Sequence, residues 1–109
     1  MATKIILVSA TGIGTSETAV GAKVQPTSGI KWTLTEIRPY ASAAGTIRIY
    51  FDTELYYEIH TSVTPAAYPK PHVVAIDVVT PHYLEVHALA DSGTINVKVE
   101  LVVEESPAA

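Results

Sequence analysis

The sequence predicts an all-β fold, an eight-stranded antiparallel β-sandwich. Apolar and polar residues alternate with a period of two along most of the chain, the mark of strands with one buried face. Clusters of Gly, Pro, Ser and Asp punctuate these stretches at short intervals. No window carries a convincing helical period.

The clearest strand runs from Thr94 to Glu104. Ile95, Val97, Val99, Leu101 and Val103 share one face, Thr94, Asn96, Lys98, Glu100 and Glu104 the other, and Val102 is the exception. In Ile30–Leu34 the residues Ile30, Trp32 and Leu34 oppose Lys31 and Thr33, and Trp32 is the expected core anchor. Beyond Leu34 the apolar phase slips to Ile37, which predicts a bulge or bend. Leu84, Val86 and Ala88 oppose Tyr83, Glu85 and His87. Three segments are less clear. Lys4–Ser9 is nearly a continuous apolar run, Ser16–Val24 has little contrast between faces, and His72–Val79 is β-branched enough to suggest a strand buried on both sides. Within that last run Asp77 belongs either at a sheet edge or in a buried hydrogen bond, and a buried structural Asp is expected ahead of a catalytic one.

One hairpin can be taken to its register. Ile47, Ile49 and Phe51 share a face, as do Leu55, Tyr57 and Ile59. Matching these faces leaves Asp52-Thr53-Glu54 as the loop. It sets Arg48 opposite Glu58 and Tyr50 opposite Tyr56 on the outer face, each pair worth ~0.2–1 kcal/mol.

The chain of 109 residues makes a single domain, residues 1–109. Residues 1–15 suggest an N-terminal arm and residues 105–109 a loose tail. Thr64–Pro71 has three prolines, so it is a stiff loop outside any sheet interior. Charged residues make up 17% of the chain, below the usual ~25%. A surface poor in charge suits a partner-covered protein. The net charge is −4 with seven scattered Lys and Arg, and this argues against a nucleic-acid partner, which needs a basic face. No apolar run reaches the ~20 residues of a membrane helix, and the start is too short in apolar residues for a signal peptide. The expectation is a protein made in the cytoplasm. Cysteine is absent, which excludes disulfides and thiolate ligands.

Catalytic and metal signatures are missing. His60, His72, His82 and His87 form no His-x-His pair, and His82 and His87, five apart, would face opposite ways on one strand. No Gly-x-Ser-x-Gly elbow occurs, and Gly12-Ile13-Gly14 lacks the ending of a phosphate loop. Carboxylates such as Glu36, Glu58, Asp77 and Glu85 are spread as any sandwich would spread them. The expectation is a protein that is not an enzyme and uses no metal or cofactor. Tyrosine and arginine are enriched in protein interfaces. Arg48, Tyr50, Tyr56 and Tyr83, expected on outer faces, and Tyr68 in the proline-rich loop are therefore the candidate interface residues.

The order of elements adds a resemblance. Three strands precede the hairpin at residues 46–60, a long loop follows, and three strands complete the chain. Thr46–Asp52, Leu55–Ile59, and Tyr83–Ala88 followed by Ser92-Gly93-Thr94 carry a likeness that extends over residues 4–104. In these stretches the chain resembles the small single jelly-roll proteins that decorate or cement capsids of tailed bacteriophages and archaeal viruses. The resemblance implies a jelly-roll sandwich, a homotrimer, a major capsid protein or other shell protein as partner, and residence in the virion. A carbohydrate-binding module is the alternative, and a small cupin-like enzyme a weaker third.

Overall fold

A computed structural model describes residues 2–61 and 71–108. Among these residues the chain forms eight strands and no helix: β1 (Ala2–Ile13), β2 (Thr18–Ala19), β3 (Ile30–Ala41), β4 (Gly45–Phe51), β5 (Glu54–Thr61), β6 (His72–Val79), β7 (Leu84–Ala90) and β8 (Ile95–Pro107). They build two four-stranded antiparallel sheets, β1-β8-β3-β6 and β2-β7-β4-β5. Successive strands alternate between the sheets except for the β4–β5 hairpin. That is the jelly-roll order, and it separates the fold from an immunoglobulin-like sandwich.

The alternating residues fill the space between the sheets. Trp32, Leu34 and Ile37 of β3 and Val97, Val99, Leu101 and Val103 of β8 meet Ile47 and Ile49 of β4 and Val86 and Ala88 of β7, all buried. Leu34, Ile47, Ile49, Val99 and Leu101 have no exposed surface. A buried side chain of this kind contributes ~1.5–3 kcal/mol through the hydrophobic effect. The expected slip in β3 is a bulge. Leu34 pairs with Val103 and Glu36 with Val102, so Thr35 is the extra residue. Its hydroxyl donates to the Val102 carbonyl at 3.2 Å. Val102, the exception in the β8 pattern, lies on the outer face opposite Ile5 of β1 and is 6% exposed.

Four expectations are corrected. Residues 2–13 do not hang free as an arm. They pair with β8 from Ala2 opposite Glu105 to Ile13 opposite Ile95, because an isolated apolar strand would leave its backbone unpaired. Residues 105–108 of the tail are held as well: Pro107 still pairs with Ile30, and the Ala108 amide donates to Gly29 at 2.9 Å. β6 is an edge strand rather than one buried on both faces. Val73, Ala75 and Asp77 are exposed on it, and Asp77 accepts a 2.7 Å hydrogen bond from Thr33.

The fourth correction concerns the hairpin tip. Arg48 faces Glu58, Ile47 faces Ile59 and Ile49 faces Tyr57, as the matched faces require. Beyond Ile49 the register shifts, and Tyr50 faces Leu55 and Phe51 faces Glu54. Tyr56 is the bulged residue and the loop is Asp52-Thr53. The tight loop needs a left-handed residue, and Asp52 supplies it at φ 57°. The Asp52 carboxylate then fastens the tip to the β6–β7 turn. It lies 2.6 Å from His82 Nδ1 and accepts the Tyr83 amide at 3.0 Å. Gly45, at the start of β4, is required by space. A Cβ there would lie 2.5 Å from the Leu89 carbonyl oxygen and 2.8 Å from Ile95 Cδ1.

Candidate functional site

Two surfaces stand out, one polar and one apolar. The polar surface is the outer face of the β2-β7-β4-β5 sheet. Because β4 lies between β5 and β7, Arg48 has Glu58 on one side and His87 on the other. Glu17, just ahead of β2, completes the cluster. Arg48 donates through Nη1 to Glu17, and through Nε to Glu58 Oε2 at 2.8 Å. The Tyr50 hydroxyl donates to Glu17 Oε2 at 2.9 Å, and its ring lies tilted against the His87 ring at 4.8 Å. His60 Nε2 is 3.0 Å from Glu58 Oε1, and its Nδ1 is 3.2 Å from the Thr46 hydroxyl.

His87 holds two carboxylates apart. Nδ1 lies 2.8 Å from Glu17 and Nε2 2.8 Å from Glu85. A neutral imidazole has one N–H, and would leave one carboxylate facing a lone pair. The geometry therefore suits the imidazolium, with a donor at each nitrogen. Burial pushes the His87 pKa down, but the bonds to Glu85 and Glu17 outweigh it and the net shift is upward. The hydrogen bond from Arg48, with help from His87 and Tyr50, lowers Glu17 to about 2 against the opposing effect of burial. Arg48 likewise lowers Glu58. A glycosidase-like pair needs an open gap between its carboxylates for a sugar and a water. Here the imidazole ring of His87 fills the gap between Glu17 and Glu85. No side-chain polar atom buried among the described residues lacks a partner, and no three His, Asp or Glu among them are grouped to hold a metal ion.

The candidate interface residues do not form one patch. Arg48 and Tyr50 stand together in this network, committed to Glu17 and Glu58. Tyr56 turns away to the far side of the sandwich, where its hydroxyl donates to the Ala75 carbonyl of β6 at 3.4 Å. Tyr83 lies beneath Lys23, whose Nζ is 4.4 Å from the ring centroid. Tyr68 lies outside the described residues. The outer tyrosines thus make no coplanar row. His60 and His87 both face outward, but β4 separates their strands and Arg48 and Glu58 link them.

The apolar surface escaped the sequence reading. β1 is the edge of its sheet, twelve residues long, with Lys4 as its only charged residue. Ile5 and Leu7 project from its outer face, 51% and 56% exposed. Below them an open groove of 460 Å³ separates β1 from residues 23–27, with Trp32 in its floor. Lys4 crosses it, 3.7 Å from Glu105 and 5.7 Å from the Trp32 ring centroid. Ile5 and Leu7 were hidden because the run Ile5-Ile6-Leu7-Val8 shows no alternation; the legible signal was a strand with one charge. Glu17 was missed because Ser16–Val24 has little contrast between faces.

No protein-family model matches the chain, and no curated protein is significantly similar to it.

Proposed function

We propose that this chain is a structural assembly protein that decorates or cements a larger shell, a virus capsid, through protein–protein contacts. The observation that carries this reading is the exposed pair Ile5 and Leu7 on the long, nearly uncharged β1 edge. Soluble monomers usually blunt such an edge with charges, proline or a covering segment, so its retention suits a surface meant to be covered. The polar groups of the opposite sheet are saturated by one another, which suits a scaffold more than a reaction centre. The jelly-roll order agrees with the resemblance to capsid-coating proteins, although a fold alone does not fix a function.

Density-gradient fractions of the source culture provide the test. If the reading holds, mass spectrometry finds the chain with virus particles, in fixed ratio to the main shell protein. A chain found only in the particle-free fractions overturns it. The carbohydrate-binding alternative has its own readout in a glycan array. The dispersal of Tyr50, Tyr56 and Tyr83 over three separate surroundings counts against it, since flat sugar rings are bound by aromatic faces in a row.

A further inference from the structure

We propose that β1 pairs with β1 of a second copy of this chain, across a two-fold axis at Ile6, to form a continuous eight-stranded sheet. The backbone supplies the first reason. Among the described residues β1 is hydrogen-bonded on one side only, to β8. None of the backbone hydrogen bonds made by residues 20–27 reaches β1.

The side chains choose the register. In an antiparallel pair centred on Ile6, Ile5 of one copy faces Leu7 of the other, and Leu7 faces Ile5. All four project from the same outer face, so the half-exposed residues of each copy cover those of its partner. Lys4 then sits opposite Val8 of the other copy. The two Lys4 side chains are set four residues apart along the strands, about 13 Å, beyond the ~8 Å screening length of physiological salt. Each is already engaged by its own Glu105. Thus nothing charged on the edge opposes self-pairing, and the match is isologous, as a two-fold contact requires.

The far side of the sandwich is built differently, although Val73 of β6 is exposed there. There β5 and β6 are tied together. The Tyr57 hydroxyl lies 3.0 Å from His72 Nδ1, and Tyr56 reaches the Ala75 carbonyl on the β6 edge. Glu54, Glu58 and Asp77 add charge to that side. The resemblance implies three copies; the edge geometry closes after two. Residues 2–10, nine per copy, pair in this register, a small interface of the kind that forms reversibly and with protein concentration. The inference draws on the same exposed pair as the shell-binding reading, and experiment separates the two: a dimer that binds no particle removes the latter and leaves the former.

Light scattering from about 1 µM to 1 mM is the test. The expected mass rises from the 11.6 kDa of one chain to twice that value. Leu7→Lys and Ile5→Lys, at exposed positions where the fold tolerates charge, should each raise the dissociation constant at least about tenfold. The natural chain has no cysteine, so mixing Ile5→Cys with Leu7→Cys under mild oxidation gives a clean register readout, a disulfide joining one variant to the other. A monomer throughout, a trimer, a dimer indifferent to both lysine variants, or no disulfide between the two cysteine variants would each overturn the proposal.

Discussion

The outer face of the β2-β7-β4-β5 sheet and the β1 edge of the other sheet solve the problem of exposure in opposite ways. On the first, Glu17, Arg48, Tyr50, Glu58, Glu85 and His87 satisfy one another in a single network spanning three strands and the residue before β2. On the second, Ile5 and Leu7 stand in solvent beside backbone that no other described residue pairs. The network owes its existence to folding, since it joins residues as far apart as Glu17 and His87, separated by 70 positions. Ile5 and Leu7 gain less from folding because half of each stays in water. A surface whose contacts are complete serves stability. One that is left incomplete is available to a partner.

The contrast can be broken most severely at Gly45. Gly45→Ala forces a Cβ against the Leu89 carbonyl oxygen and shifts β4, the strand that carries Arg48. The expected cost is on the order of 1–3 kcal/mol, read by urea unfolding, and an unchanged midpoint would show that β4 has slack. Next comes Arg48→Leu. It removes the one cation shared by Glu17 and Glu58 and leaves two carboxylates and Tyr50 without their organiser. The melting temperature should fall by several degrees, more than for substitution of Ile5 or Leu7.

Titration sharpens the comparison further. Glu17 is lowered to about 2 from an ordinary 4.5, so its contribution is complete above pH 4.5 and is lost as pH falls from there toward 2. His87 is raised above 6.5, so its contribution is complete below pH 6.5 and is lost as pH rises through the folded value. At this partly exposed site solvent screening keeps both limbs small. Stability measured against pH should therefore show a plateau with a fall on each side. His87→Gln should abolish the alkaline fall, and its survival in that variant would assign it elsewhere.

The smallest effect belongs to the edge. Leu7→Thr should change the unfolding free energy of the dilute monomer by no more than about 0.5 kcal/mol. At high protein concentration the same change should lower the melting temperature, because the natural chain then gains stability from association. A large loss in the dilute monomer would make Leu7 a folding residue and dissolve the contrast.

How much of this was legible follows from the range of each interaction. Alternation along β3, β4, β5, β7 and β8 places Trp32, Ile47, Ile49, Val86 and Leu101 inside, since in a strand neighbouring side chains are sorted by local geometry alone. The slip from Leu34 to Ile37 likewise shows the β3 bulge, and the match of Arg48 to Glu58 follows from two adjacent strands. At the hairpin tip this logic fails. A two-residue loop with Asp52 in the left-handed region competes with the three-residue loop that face matching prefers, and the bulge at Tyr56 absorbs the difference.

By itself, then, the sequence determined the strands, most of their inward faces and the absence of cysteine chemistry, because these depend on residues near one another in the chain. Only the tertiary structure decided that β1 and β6 are edges, that Glu17 reaches Arg48, Tyr50 and His87, and that Tyr56 faces β6 rather than Tyr50. Those facts depend on which strands lie side by side, and a repeat of period two is the same in an edge strand as in a central one.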